Sequence, residues 1–447
     1  AGTLTITLDQ QYGGKHMLGR FRLSATNSPR PVRPGALPDG IAAILATPSE
    51  KRTDAQQADL ASYYRGIAPE LAALRDRIAA LQKQDAAISP PTTLVMQELP
   101  KPRPTHVQIR GNHKNLGDAV QPAVPAKLHP LQSRDEPPRL AFARWLVDPA
   151  NPLVGRVTIN RIWARYFGRG FVETSDDFGI QGDLPTHPEL LDWLATELVE
   201  RKWSLKAMHK LIVMSATYRQ TSRVEKELYE RDPYNRLLAR GPRLRLDAEA
   251  VRDNALAISG LLNRTVGGPS VFPYQPEGVW ANPYSGDRWQ VAADGNQYRR
   301  GLYTFWRRTA PYAAFMAFDA PSREVACERR LRTNTPLQAL ATLNDKAFVD
   351  CSAALAWRML SEATGERDRA AFGFRCCVSR PPTDAELKQV LALYHSRREQ
   401  FVKDPAAANA LAAAGNFTLP GADAADVASW TVVANVLLNL DETITKE

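Results

Sequence analysis

Thr186-His-Pro-Glu-Leu-Leu-Asp-Trp-Leu-Ala-Thr-Glu-Leu198 decides how the rest of this chain is read. Threonine at the cap with glutamate three residues on is a capping box, and Pro188 falls in the first turn, where a missing N–H costs least. Leu190, Leu191, Leu194 and Leu198 then recur at helical spacing, giving an amphipathic helix with one apolar face. The same grammar extends in both directions. Ala141–Val147 and Val154–Phe167 read as helices, the second stopped by Gly168, and Ser204 caps a helix through Leu205, Met208, Leu211 and Ile212. Arg243–Leu262 is another, closed by Asn263. Thr335–Asp345, Ala347–Leu360, Asp384–Phe401 and Ala424–Leu440 follow, with Thr383 and Glu386 forming a second capping box. Upstream, residues 39–86 read as two helices. Thr53 with Gln56 makes a cap there, and Leu71, Leu74, Ile78 and Leu81 form the narrow seam of an antiparallel pair. The expected class is mainly α: a multi-helix body with long ordered loops and short strands.

Strand signals are few. Thr3-Leu-Thr-Ile-Thr-Leu8 and Leu18-Gly-Arg-Phe-Arg-Leu23 alternate around Gly13-Gly14, as a hairpin does. Two strands alone are marginal in water, so this hairpin is expected to be the remnant of a β-sandwich whose other strands lie upstream or on a separate fragment. Leu94–Leu99 and Thr105–Arg110 also read as strands, Gly111–Pro138 as an ordered loop and Leu302–Trp306 as a short strand. The expected organisation is residues 1–27 ending the sandwich, 28–90 a proline-rich linker and helical pair, 91–345 a core, and 346–447 a C-terminal helical region.

Composition bounds the function without choosing it. The chain has 447 residues, 44% hydrophobic and 23% charged, with a net charge of +9. No run approaches the roughly 18 apolar residues of a membrane span, so no transmembrane segment is expected. The basic surplus suits an anionic partner, yet Lys and Arg are scattered rather than blocked, and no nucleic acid partner is expected. The four cysteines, Cys327, Cys351, Cys376 and Cys377, form no Cys-x-x-Cys, so covalent haem attachment and a zinc ribbon find no support. In an exported protein Cys376 or Cys377 would bridge to Cys351 or Cys327. Burial as small core residues is the competing reading.

Three clusters carry candidate chemistry. Asp176 and Asp177, with His187 and Glu189 beyond them, are two carboxylates, an imidazole and a third carboxylate, suited to acid/base work or a divalent cation; caps and turns are the plainer use of the same side chains. His106, Arg110 and His113 form a second group. His106 and Arg110 would share one face of a strand and grip a sulfate, phosphate or carboxylate. Residues 264–300 form a long loop in which Trp280, Tyr284, Trp289 and Tyr298 alternate with charged residues, an arrangement that stacks on sugar rings unless the rings are buried. Asn160, Arg161 and Arg165 lie on an aromatic-rich helix and should find partners in the Asp176-Asp177 loop. No nucleotide-binding, hydrolase-elbow or metalloprotease motif is present.

Several stretches resemble the planctomycete-specific PSD-one domain, a family of unknown function. They include Arg139-Leu-Ala-Phe-Ala-Arg-Trp-Leu146, Asn151–Trp163, Asp177-Phe-Gly179, His187–Leu194, Ser215-Ala-Thr-Tyr-Arg-Gln220, Arg332-Thr-Asn-Thr-Pro-Leu-Gln-Ala-Leu340 and Leu343-Asn-Asp345. The resemblance, over roughly residues 90 to 447, implies a large exported protein, periplasmic or on the cell surface, with a β-sandwich and cytochrome c domains upstream. It implies no cofactor in this chain; haem c would sit on an upstream domain or partner. Three functions stay open: a binding or scaffold module for polysaccharide, a polysaccharide hydrolase or lyase using the Asp/His/Glu cluster, and a subunit of an electron-transfer assembly.

Overall fold

A computed structural model describes residues 37–90, 92–99, 101, 103–132, 136–279, 288–416 and 421–446, together with Thr5 and Thr7. The expected hairpin at 3–23, apart from Thr5 and Thr7, and the proline linker at 28–34 therefore lie outside the described residues. The protein is mainly helical, and its chain divides into two units, residues 1–120 and 121–447. Among the described residues no helix is long and apolar enough to cross a membrane.

In the first unit, α1 (Asp39–Ala46), α2 (Asp54–Ile67) and α3 (Ala72–Ala87) follow one another. Thr53 and Gln56 close the expected reciprocal cap on α2. Arg52 donates from Nε to the carbonyls of Ile44 and Thr47, and Arg75 donates to those of Arg65 and Ala68, so arginines fasten the turns. The expected apolar seam is not packed: Leu74, Ile78 and Leu81 are each more than half exposed. The spacing is helical, but among the described residues these three side chains stay open to solvent. Strands β1 (Thr105–Gln108) and β2 (Leu116–Val120) pair antiparallel, with Thr105 opposite Val120 and an irregularity after His106. Two expectations change here. Residues 94–99 form no strand, and β2 lies inside the stretch expected to be loop, because Gly111, at φ +73°, lets the chain reverse.

Among the described residues the second unit holds two larger cores and a small third cluster of Ala408, Ala425 and Ala428. After α4 (Pro138–Leu146), helices α5 (Val154–Phe167), α6 (Pro188–Glu200) and α7 (Leu205–Val213) build the first, with Ile159, Phe171, Leu194, Leu198 and Met208 buried between them. Trp163 stacks between Phe167 and Phe171 at 4.1 and 4.3 Å. Gly168 ends α5 in the left-handed region at φ +83°, and a Cβ there would overlap the Leu244 side chain. Ser204 caps α7 by accepting from the Ala207 N–H. The Thr186–Glu189 capping box does not form. His187 is the cap residue of α6 without a side-chain bond, because Thr186 N–H is drawn back to the carbonyl of Phe171 at 2.9 Å.

After α8 (Lys226–Arg231) come β3 (Leu244–Arg245), α9 (Ala248–Ser259) and α10 (Ala313–Ala317), then α11 (Pro336–Asn344), α12 (Lys346–Glu362), α13 (Glu366–Val378), α14 (Asp384–Lys403), α15 (Pro405–Ala412), α16 (Ala424–Leu438), α17 (Asp441–Ile444) and β4 (Thr445–Lys446). The helix expected over 243–262 thus begins five residues later, since residues 244–245 pair with β4, and Gly260 rather than Asn263 closes it. Residues 301–303 form a 3-10 turn instead of a strand. Helices α12 and α16 centre the second core, where Leu355, Met359, Phe374, Tyr394, Trp430 and Leu437 are buried. Helix α13 has no counterpart in the sequence reading. Gly373 admits it: a Cβ would sit 2.7 Å from Met359 Sδ. All four cysteines are free thiols, Cys351 and Cys377 buried in this core, which overturns the disulfide reading.

Candidate functional site

Asn160 is fully buried on α5, and its carboxamide meets the backbone of Val172 as a strand partner would: Nδ2 donates to the carbonyl at 3.0 Å and Oδ1 accepts the N–H at 2.9 Å. That clamp fixes the start of the 172–183 loop against α5. It also leaves the next turn of the helix, Arg161 and Arg165, pointing outward. Their partners are not Asp176 or Asp177, as the sequence suggested. Arg161 pairs with Glu328, and Arg165 Nη1 donates to Asp247 Oδ2 at 2.8 Å.

Asp247 stands at the N-terminus of α9 and also receives Arg332 Nε at 3.3 Å. Glu249, in the first turn, accepts both Nη groups of Arg330 at 2.6 and 3.1 Å. Asp253 follows one turn later on the same face, accepting the Gly301 N–H at 2.7 Å. Burial pushes the Asp253 carboxyl above the usual carboxylate range; the Gly301 N–H and the charges of Arg252 and Arg300 oppose that, while Glu249 adds to it. Three segments far apart in sequence therefore converge: α5, the start of α9, and residues 321–332.

Two cavities open along this seam and share Arg323. The larger, about 500 Å³, is lined by Glu173, Asp176, Cys327, Glu328 and Arg329 among others. The smaller, about 350 Å³, is lined by Arg165, Arg323 and Arg330 against Asp247, Glu249 and Asp253, with Thr304 and Trp306 completing it. The Arg323 guanidinium sits 4.5 Å over the Trp306 ring, whose Nε1 donates to the Ser322 carbonyl. Thr304 is 6% exposed, and its hydroxyl has no hydrogen-bond partner among the described residues. Such a wall offers fork-shaped donors, two-oxygen acceptors, a buried hydroxyl and an indole edge within one cleft.

Of the residues singled out from sequence, Arg165, Asp176 and Cys327 line this seam. Asp177 Oδ1 accepts the Gly179 N–H at 2.7 Å and shapes a turn, His187 Nδ1 lies 3.0 Å from Thr186 Oγ1, and Glu189 sits in the first turn of α6. Among the described residues no three His, Cys, Asp or Glu side chains converge to hold a metal ion. His106 Nδ1 faces the Gly117 carbonyl at 3.0 Å, while Arg110 lies past the strand end in a left-handed turn at φ +53°, so the two do not share a strand face; His113 is exposed in the turn beyond. Trp280, Tyr284 and Asp287 lie outside the described residues. Trp289 is half-buried: Nε1 donates to the Pro273 carbonyl at 2.7 Å, and its ring stacks on Tyr312 at 5.8 Å. Burial of Tyr298 pushes its hydroxyl up to about 12. Arg299 binds the carbonyls of Thr265, Gly267 and Pro269 and lies 3.8 Å over Tyr303, holding the long loop closed. Sequence reading missed Asp247, Glu249, Asp253 and Arg330; the one available signal was the i, i+4 carboxylate pair in Asp247-Ala-Glu-Ala-Val-Arg-Asp253.

The family PSD1, described as a protein of unknown function (DUF1553), matches residues 138–394, more than half of the chain. The chain belongs to the PSD1 family. No curated protein and no solved structure matches it. The PSD1 region holds α5, the start of α9 and residues 321–332, hence every residue of the arginine–carboxylate seam.

Proposed function

We propose that this PSD1 chain is a polysaccharide-binding module and that the seam between α5, α9 and residues 321–332 is its sugar site. The observation that carries the reading is the balance of the smaller cavity. Three guanidinium groups face three carboxylates around an unpartnered threonine hydroxyl and a tryptophan. A polyanion would favour an excess of cations, whereas paired arginines and carboxylates present donors and acceptors together, as vicinal hydroxyls require. A sugar ring takes the place of the Arg323 guanidinium on Trp306, and Thr304 gains the partner it lacks. The site is proposed to work outside the cytoplasm, within a larger cytochrome-linked protein; the motif resemblance supports that setting.

The test is retention of the full chain on immobilised neutral glycans, compared with Trp306→Ala and Thr304→Val. Wild type should be retained on at least one glycan, with Trp306→Ala weakened roughly tenfold or more, the scale of losing one well-packed aromatic contact of about 1–3 kcal/mol. Retention of neither protein on any glycan, or equal retention of wild type and both variants, would refute the assignment.

A further inference from the structure

Helix α9 places two carboxylates of unlike surroundings on one wall of the smaller cavity. Glu249 and Asp253 are four residues apart on one helical face, which sets their Cβ atoms about 5–6 Å from each other. Both line the cavity. Glu249 is fixed by a two-pronged bond from Arg330, whereas Asp253 is partly withdrawn from solvent, accepts the Gly301 N–H through Oδ1 and lies 3.8 Å from Arg252 Nη1. Resting on the sugar-site reading, we propose that this cavity hydrolyses the glycan it binds, with Asp253 as general acid and Glu249 as the carboxylate that activates water.

The step balances without a further reactant. Protonated Asp253 gives its proton to the glycosidic oxygen as the C1–O bond breaks. A water molecule attacks C1 from the opposite face and passes a proton to Glu249. Glu249 returns that proton to Asp253 through solvent, so the net change is glycoside plus water to hemiacetal plus alcohol. Glu249 is assigned to water because Arg330 orients its carboxylate while each oxygen keeps a lone pair that can accept a proton. The anomeric configuration is therefore inverted. Divergent surroundings for paired carboxylates are the arrangement acid/base catalysis needs, and burial of Asp253 favours its protonated form.

The experiment incubates the full chain with each neutral polysaccharide that it retains and measures new reducing ends, with proton NMR of the first-formed anomer. Wild type should release reducing ends with inverted configuration. Asp253→Asn keeps the Oδ1 acceptor for Gly301; at saturating glycan, where weaker retention no longer limits turnover, it should cut release by about 10²-fold or more. A wild-type chain that holds a glycan and releases no reducing ends overturns hydrolysis and leaves the binding reading standing. Unimpaired release by Asp253→Asn, or a retained anomer, overturns the assigned roles. Absence of retention on every glycan sinks both readings together.

Discussion

Removing the carboxamide of Asn160 and adding a methyl at Gly170 should each destabilise the second unit, and the pair should cost less than the sum. Asn160 supplies the partners of the Val172 N–H and carbonyl, at 2.9 and 3.0 Å, and Val172 is itself 3% exposed. Asn160→Ala strands two buried backbone groups at about 1–3 kcal/mol each, so roughly 2–6 kcal/mol in all. Gly170 is packed against the same carboxamide: a Cβ there would sit 2.5 Å from Oδ1 and 2.6 Å from Nδ2. Gly170→Ala must push Asn160 off Val172, at an overpacking cost of about 1–3 kcal/mol. In the double variant the new methyl enters the space left by the carboxamide, so most of that second cost disappears. The expected coupling is about 1–3 kcal/mol in the favourable direction. Urea unfolding of the four proteins, followed by tryptophan fluorescence and compared at constant m-value, measures it. Additivity within about 0.5 kcal/mol, or a neutral Gly170→Ala, would refute the view that this clamp fixes the loop beside the sugar site.

Other outcomes follow from the same structure. Arg380 bonds both oxygens of Glu386, and that pairing holds the carboxyl down at about 2. A carboxyl depressed on folding contributes stability above its unfolded value of about 4.3, and that contribution fades as pH falls from there towards 2. After solvent screening it is on the order of 1 kcal/mol, so Glu386→Gln should lose stability at pH 7 and converge with wild type near pH 2; equal losses at both pH values would contradict this. Burial pushes the Cys351 thiol up to about 12 and raises that of Cys377, while Cys327 is exposed. Native-state alkylation read by mass spectrometry should therefore modify Cys327 roughly tenfold or more faster than either buried thiol; equal rates would place the buried pair elsewhere. Gly373→Ala should cost about 1–3 kcal/mol in a thermal melt because its methyl meets Met359 Sδ; an unchanged melting temperature would refute the close packing of α13 on α12.

What could be read from sequence was local, and what could not was tertiary. Helix α5 and the caps at Thr53, Ser204 and Thr383 appear where side-chain chemistry within four residues dictates them. The Thr186 box fails for a reason outside that window: Phe171, fifteen residues earlier, takes the N–H that the motif needs. Likewise Leu244 and Arg245 leave the helical pattern because Thr445 and Lys446 claim their backbones. The seam was hidden for the same reason. Arg165 and Asp247, Arg330 and Glu249, and Arg161 and Glu328 are pairs separated by 82, 81 and 167 residues, and no spacing rule joins them. Asp176 was found because acidic residues in a glycine-rich loop stand out; its charged neighbours in the cavity, Glu173, Glu328 and Arg329, were not, being ordinary charges until folding assembles them.

The tie between β3 and β4 bears on how the chain matures. Leu246 N–H bonds to the Ile444 carbonyl, Arg243 pairs with Asp441, and Lys446 reaches the Tyr166 carbonyl and lies 4.2 Å over the Tyr218 ring. A clasp joining residues some 200 positions apart cannot shut until the later of them has left the ribosome, and closing so long a circuit is slow. The early helical core and its pairs to Asp247 and Glu328 need only residues up to 328, whereas the clasp itself waits for residues 441–446.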